Sequence, residues 1–132
     1  MSIAFDLKSN VDVVQSLAPA TRNAASNGSA VDLQGYYAAM VVFSVGAVTD
    51  GTHTPKVQEA PDDGTGNPGV WTDVASADLD GTLANLSANS VQRVGYKGTK
   101  RFIRAVVTSS GVTGAAYSAE VVRGRPAASP VA

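Results

Sequence analysis

Cysteine is absent from this 132-residue chain, which removes disulfide frameworks, thiolate nucleophiles and zinc–thiolate sites from consideration. Histidine occurs once, as His53, and no nucleophile-elbow pattern surrounds any serine, so triad hydrolysis is not expected. His53 stands beside a turn and reads as an exposed loop residue with a structural role. Aromatic residues are also scarce, with three Phe, four Tyr and one Trp. Ala and Val supply most of the apolar content, so the expected core is thin and β-branched, as between two packed sheets. Long hydrophobic runs are missing: the apolar stretch 38–48 is broken by Ser44 and Gly46 and falls far short of a membrane span. The N-terminus has neither a basic start nor an apolar stretch of signal-peptide type, and synthesis in the cytoplasm of the producing cell is expected.

Five aspartates, Asp62, Asp63, Asp73, Asp78 and Asp80, invite a calcium or glycosidase reading. None stands in the alternating Asp-x-Asp-x-Asp-Gly loop that places oxygen donors around one ion, and Asp78-Leu79-Asp80-Gly81 has only two of its parts. Turn aspartates ordinarily serve their own backbone, so neither metal nor cofactor is expected. A carboxylate pair assembled in space leaves no spacing signal and stays open.

Charge of each sign is missing from one part of the chain. Between Val91 and Arg125 there are seven cations (Arg93, Lys97, Lys100, Arg101, Arg104, Arg123 and Arg125) against one acid, Glu120. Residues 1–90 hold three cations against ten acids, and the whole chain carries a net charge of −1. The balance argues against a dedicated nucleic-acid binder and for docking or assembly. Arg101 and Arg104 fall on opposite faces of a period-2 strand. Two readings stand beside each other: they pair with acids of the same chain, such as Asp32 or Asp73, or they face a partner. Lys97, Lys100 and Arg101 cluster at a loop tip, where the partner reading is favoured.

The coarse organisation is an N-terminal arm (1–30), a β-sandwich or jelly-roll-like domain (31–126) and a flexible tail (127–132). In the arm, Ser9 and Asn10 suit the start of a short helical turn over Val11, Val13, Val14 and Leu17, which Pro19 would stop. With Ile3 and Phe5, those apolar residues suggest an arm that orders against a partner. From Val31 onward strands alternate with turns: Met40 to Val45 reads as a central buried strand, Asp50-Gly51 as a hairpin, and Pro61 to Gly69 as a loop. Val70–Val74, Ser90–Tyr96, Arg101–Thr108 and Ala115–Val122 complete an antiparallel all-β fold. Trp71, Tyr36 and Tyr37 stand beside loops, where aromatic rings serve either the core or the stacking of a sugar.

Four segments carry a resemblance: Ala30-Val31-Asp32-Leu33-Gln34-Gly35-Tyr36, Val45-Gly46-Ala47-Val48-Thr49-Asp50-Gly51, the run from Gly95 to Val107, and Val122-Arg123-Gly124-Arg125-Pro126. In this order they resemble a family of small virion proteins of tailed bacteriophages and prophages, encoded among the head genes. The resemblance covers roughly residues 30–126 and implies a non-enzymatic head component, first of all a capsid decoration (cement) protein on the outer capsid surface. The expected partner is then the major capsid protein, with trimers at three-fold positions and no nucleic acid, membrane or cofactor. The expected interface residues are Ile3, Phe5, Val13, Val14, Leu17, Lys97, Lys100, Arg101 and Arg104. Two alternatives remain: a head-completion or tail-adaptor ring protein, and a carbohydrate-binding module using Trp71, Tyr36 and Tyr37.

Overall fold

Period-2 alternation of apolar side chains runs through two unusually long strands, and these two organise the rest. A computed structural model describes residues 6–127. The expected contacts of Ile3 and Phe5, and the tail beyond Ala127, lie outside those residues. The strands are β1 (Val11–Arg22), β2 (Ser26–Asn27), β3 (Val31–Asp32), β4 (Tyr36–Ala60), β5 (Thr72–Asp73), β6 (Leu79–Asp80), β7 (Ser90–Tyr96) and β8 (Phe102–Pro126), with one 3-10 turn at Ser76–Asp78. All pairings are antiparallel. The fold is all-β, as the sequence predicts.

β4 and β8 pair from Tyr36–Pro126 to Ala60–Phe102. The predicted hairpin at Asp50-Gly51 does not form. Instead the register slips between Val45 and Thr52, with Gly51, Gly111 and Gly114 at positive φ, and the ribbon bends there without ending. The bend folds the ribbon onto itself. Ser16 stands next to Leu17, which pairs with Ala119 late in β8, yet its Oγ accepts a hydrogen bond from the amide of Ala105, early in β8. On a straight strand those two β8 positions would be about 45 Å apart. The halves of β4 and β8 thus lie in opposite layers. One layer has the order β1, late β8, early β4, β7, β6, and the other is formed by β2 and β3, early β8, late β4 and β5.

Between the layers lies one core. Val41, Phe43 and Val45 of early β4 belong to the same buried cluster as Val57 of late β4, Ile103, Ala105 and Val107 of early β8, and Tyr117, Ala119 and Val121 of late β8. The run from Met40 to Val45, predicted to be buried throughout, is buried on alternate residues only. Met40 and Val42 face outward and stay partly exposed.

Two further expectations are corrected. The N-terminal segment is extended, but Val11–Arg22 is a strand bonded to β8 rather than a helical turn. Val11, Val13 and Val14 are β-branched and gain a complete ladder from β8, which outweighs the local capping signal of Ser9 and Asn10. His53 is not in an exposed loop. It lies in β4 with 1% of its surface accessible. Its Nε2 donates to the Asp50 carbonyl (3.0 Å), which leaves Nδ1 to accept from the Ser109 hydroxyl (3.0 Å). With His53 buried and Ser109 partly exposed, this Ser–His contact braces the bend.

The layers are stitched at Gly28. Its amide donates to the Ala105 carbonyl (2.7 Å), and the Ser29 amide donates to the Ser16 carbonyl (2.7 Å). A Cβ at position 28 would stand 2.2 Å from Ser16 Oγ and 2.6 Å from the Ala105 carbonyl oxygen. Gly28→Ala is expected to lower stability by about 1–3 kcal/mol through overpacking at this seam, with the change read from urea unfolding midpoints.

Candidate functional site

Three of the four resembling segments meet at one end of the sandwich. The β3–β4 turn, the end of β7 with the following turn, and the end of β8 are bonded to one another there: Leu33 amide to Arg101 carbonyl (2.8 Å) and Ala127 amide to Gly35 carbonyl (2.7 Å). Gly35, at φ +90, supplies the left-handed residue that this turn needs. Between these segments opens a cleft of about 440 Å³ lined by Leu33, Tyr36, Tyr37, Tyr96, Gly98 and Lys100 among others.

Asp32 is the hub of this end. Arg101 donates to it through two parallel bonds, Nε to Oδ1 (3.0 Å) and Nη2 to Oδ2 (2.8 Å), and sends Nη1 to Asp62 Oδ2 (2.7 Å). Arg123 donates to the Asp32 backbone carbonyl (2.8 Å), pairs with Asp12, and lies over the Tyr36 ring at 4.4 Å. The Arg101 guanidinium holds the Asp32 carboxyl below the usual carboxylate range, and Asp32 in turn raises Arg101. Asp62 is lowered chiefly by the amides of Gly66 and Gly64 in its own loop, and Asp63 by Thr65. These carboxylates therefore serve their own turns and Arg101. Among the described residues no three metal-ligating side chains converge.

The expected interface residues separate into several environments. Arg101 is engaged within its own chain, with Asp32, one of the acids that the sequence named. Arg104 has no direct carboxylate among the described residues. It donates Nε (3.0 Å) and Nη2 (2.7 Å) to Gln58 Oε1, lies over the Trp71 ring at 4.4 Å, and is lowered by burial. Gln58 in turn donates to Asp73 Oδ1 (2.9 Å), so the link to the other acid named runs through an amide. Lys97 and Lys100 are exposed, and neither ammonium makes an ion pair among the described residues. Their turn is held firmly: the Lys100 amide donates to the Tyr96 hydroxyl (3.0 Å), which itself donates to Glu59 Oε1 (2.6 Å). Burial and Glu59 together raise the Tyr96 phenol. Gly98 lies against that ring so closely that a Cβ would come 2.4 Å from the hydroxyl oxygen.

Of the N-terminal apolar residues, Leu17 is buried in the core, Val14 packs against it, and Val13 remains 57% exposed. The three rings named for sugar stacking do not form one free platform, since Trp71 and Tyr36 each have a guanidinium on one face. Tyr37 is 78% exposed. The Asp32 hub was visible in the sequence only as one named acid. Its Arg123 arm was not, because Arg123 lies 91 residues away along the chain.

The Asp32–Arg101 pair gives stability a defined pH dependence. With the folded carboxyl below its ordinary value of 3.8, its contribution is complete above that value and is lost as pH falls through the lowered folded value. Asp32→Asn is expected to cost about 1 kcal/mol at neutral pH, a solvent-screened figure, and to flatten the acid limb of stability measured by denaturant titration at stepped pH.

No family model matches the chain, and no curated protein matches it. Among solved structures it is similar to a chain in the structure of infectious bursal disease virus, Gx strain, at 12% identity and a TM-score of 0.46, covering 98% of this chain. The chain spans 40% of the length of that viral chain. It is also similar to a chain from Bacillus endospore appendages, a family of disulfide-linked pili, at 12% identity and a TM-score of 0.38, covering 94% of this chain and 97% of the other. These likenesses are too loose to assign a function.

Proposed function

We propose that this chain is a non-enzymatic structural protein of a tailed-phage virion, which decorates the outer capsid surface and reinforces contacts between major capsid proteins. The observation that carries this reading is the Lys97–Lys100 turn. Two exposed cations without a carboxylate partner among the described residues stand on a turn braced by Tyr96 and Gly98, beside the exposed Tyr37. A rigid tip that combines aromatic surface with unneutralised charge suits docking onto an acidic, structured surface, because little side-chain and loop order has to be gained on binding. The resemblance of residues 30–126 to head-gene virion proteins supports the same reading, since three of its four segments build this end.

In this proposal Arg101 and Arg104 are scaffold, and contact passes to Lys97, Lys100 and Tyr37, with trimers at three-fold positions of the shell. Decoration of the assembled shell, but not of its free subunits, stabilises the shell by mass action. Lys97→Glu/Lys100→Glu is expected to leave the protein folded and to reduce its occupancy on purified shells of the parent phage. Attachment of the unaltered protein should weaken as salt rises, because exposed charges are screened within about 10 Å at 0.1 M. Quantitative gels of sedimented particles measure both effects and the copy number. Hundreds of copies per particle are expected, and about a dozen would instead indicate a ring at the portal. Salt-insensitive attachment with normal occupancy of the double variant would remove the tip from the interface.

A further inference from the structure

The outward face of the layer β1–β8–β4–β7 is apolar along its middle, and its charges are arranged in a self-complementary way. Strand register places Val13, Val122, Met40 and Gly95 in one row and Gln15, Glu120, Val42 and Arg93 in the next. A further row contains Ser118, which is already buried, with Ser44 and Val91 exposed. Val13 and Val91, at 57% and 68% exposure, are two of the five most exposed large hydrophobic residues among those described. Two charges interrupt the face, and they have opposite signs. Glu120 and Arg93 stand in one row on the strands that flank β4, about 10 Å apart at the backbone and with Val42 between them. Among the described residues neither belongs to an ion pair, and the Glu120 carboxylate accepts only the Ser118 hydroxyl (2.9 Å).

We infer that this face packs against the same face of a second copy, about a two-fold axis lying nearly along β4. The axis exchanges the strands on either side of β4. Glu120 of each copy then meets Arg93 of the other, so the dimer contains two such pairs and each of the four charges gains one partner. Val42 packs on Val42 and Met40 on Met40 at the axis. Val122, a branched side chain, falls opposite Gly95, which has no side chain of its own and is flanked by that of Asp80. An axis about 15° from the strand direction gives the crossing of about 30° at which twisted sheets pack face to face. Four strands by these three outward rows offer roughly 400 Å² on each copy, below the usual range of specific interfaces, so the pair is weak, reversible and concentration-dependent. Val13 and Asp80, outermost in their row, fall at the wet rim. A capsid surface has no reason to match this particular spacing of opposite charges, whereas a second copy matches it by symmetry. The pairing is independent of the capsid reading, which rests on the Lys97–Lys100 tip.

Sedimentation equilibrium of the full chain over a concentration series tests the pairing, with circular dichroism confirming that each variant is folded. The unaltered protein is expected to form dimers. Arg93→Glu and Glu120→Arg, taken singly, bring like charges together twice in each pair and should weaken dimerisation by at least about tenfold. The double variant Arg93→Glu/Glu120→Arg should restore it, because the swap preserves the complementarity. Val42→Lys, which places two cations on the axis, should leave only monomer and carries the test should a charge variant not fold. Monomeric unaltered protein, single reversals that dimerise normally, or a double variant that stays monomeric would each overturn the inference.

Discussion

Because β4 and β8 exchange backbone bonds from Tyr36–Pro126 to Ala60–Phe102, every remaining strand but β6, which pairs with β7, joins an edge of this ribbon. β1, β2 and β3 line the free side of β8, and β5 and β7 line the free side of β4. The bend at Gly51, Gly111 and Gly114 then decides the architecture, since a straight ribbon would leave Phe43 and Ile103 on an uncovered surface and would have no interior. The same pairing joins segments separated by more than 40 residues at every point. A fold of this kind gains most of its contacts late and is expected to form slowly.

The charge split along the sequence acquires a physical meaning from this topology. An acidic first part and a basic last part suggest two surfaces of opposite sign, yet the long-range antiparallel pairing interleaves them. Asp12 stands across from Arg123 in the β1–β8 ladder, and Asp32 and Asp62 close on Arg101. Much of the apparent asymmetry is therefore internal neutralisation, written in sequence as distance. Among the seven cations between Val91 and Arg125, those outside an ion pair are Lys97 and Lys100 at the tip, Arg93 on the outer face, Arg104 on Gln58, and Arg125, among the described residues.

The all-β class was legible because it depends on composition and period-2 runs, and Ser90–Tyr96 emerged with the predicted limits. What stayed hidden depends on the partner of each strand. Asp50-Gly51 satisfies the local rules for a hairpin, but the β8 segment opposite slips register in step with it, and the chain continues. Val11 to Leu17 satisfies a helical start as well as a strand. Only the availability of the β8 edge decides between them. His53 looked like a loop residue because a turn signal stands beside it, although its two ring nitrogens find partners that make burial tolerable. At the candidate site, Arg101 with Asp32 could be named from charge alone, whereas the stack of Arg123 on Tyr36 could not. The outer face was missed because Met40 to Phe43 is apolar without a break, and burial of one side was extended to both.

The β1–β8 ladder starts where β8 ends, with Val11 opposite Gly124 and Arg22 opposite Ala115. A mechanical load applied between residues 11 and 124 therefore acts at one end of the ladder and across the strands. Such a load opens hydrogen bonds one after another, as in a zipper, instead of shearing the whole row together. The Asp12–Arg123 pair sits at the first tooth, and Ser16, bonded to both Ala105 and Ser29, is the point where peeling would first have to disturb the opposite layer. A particle that anchors this protein by its sheet faces would spare that ladder from tension. One that tethers it by both chain ends would place the full force on the bond nearest Val11.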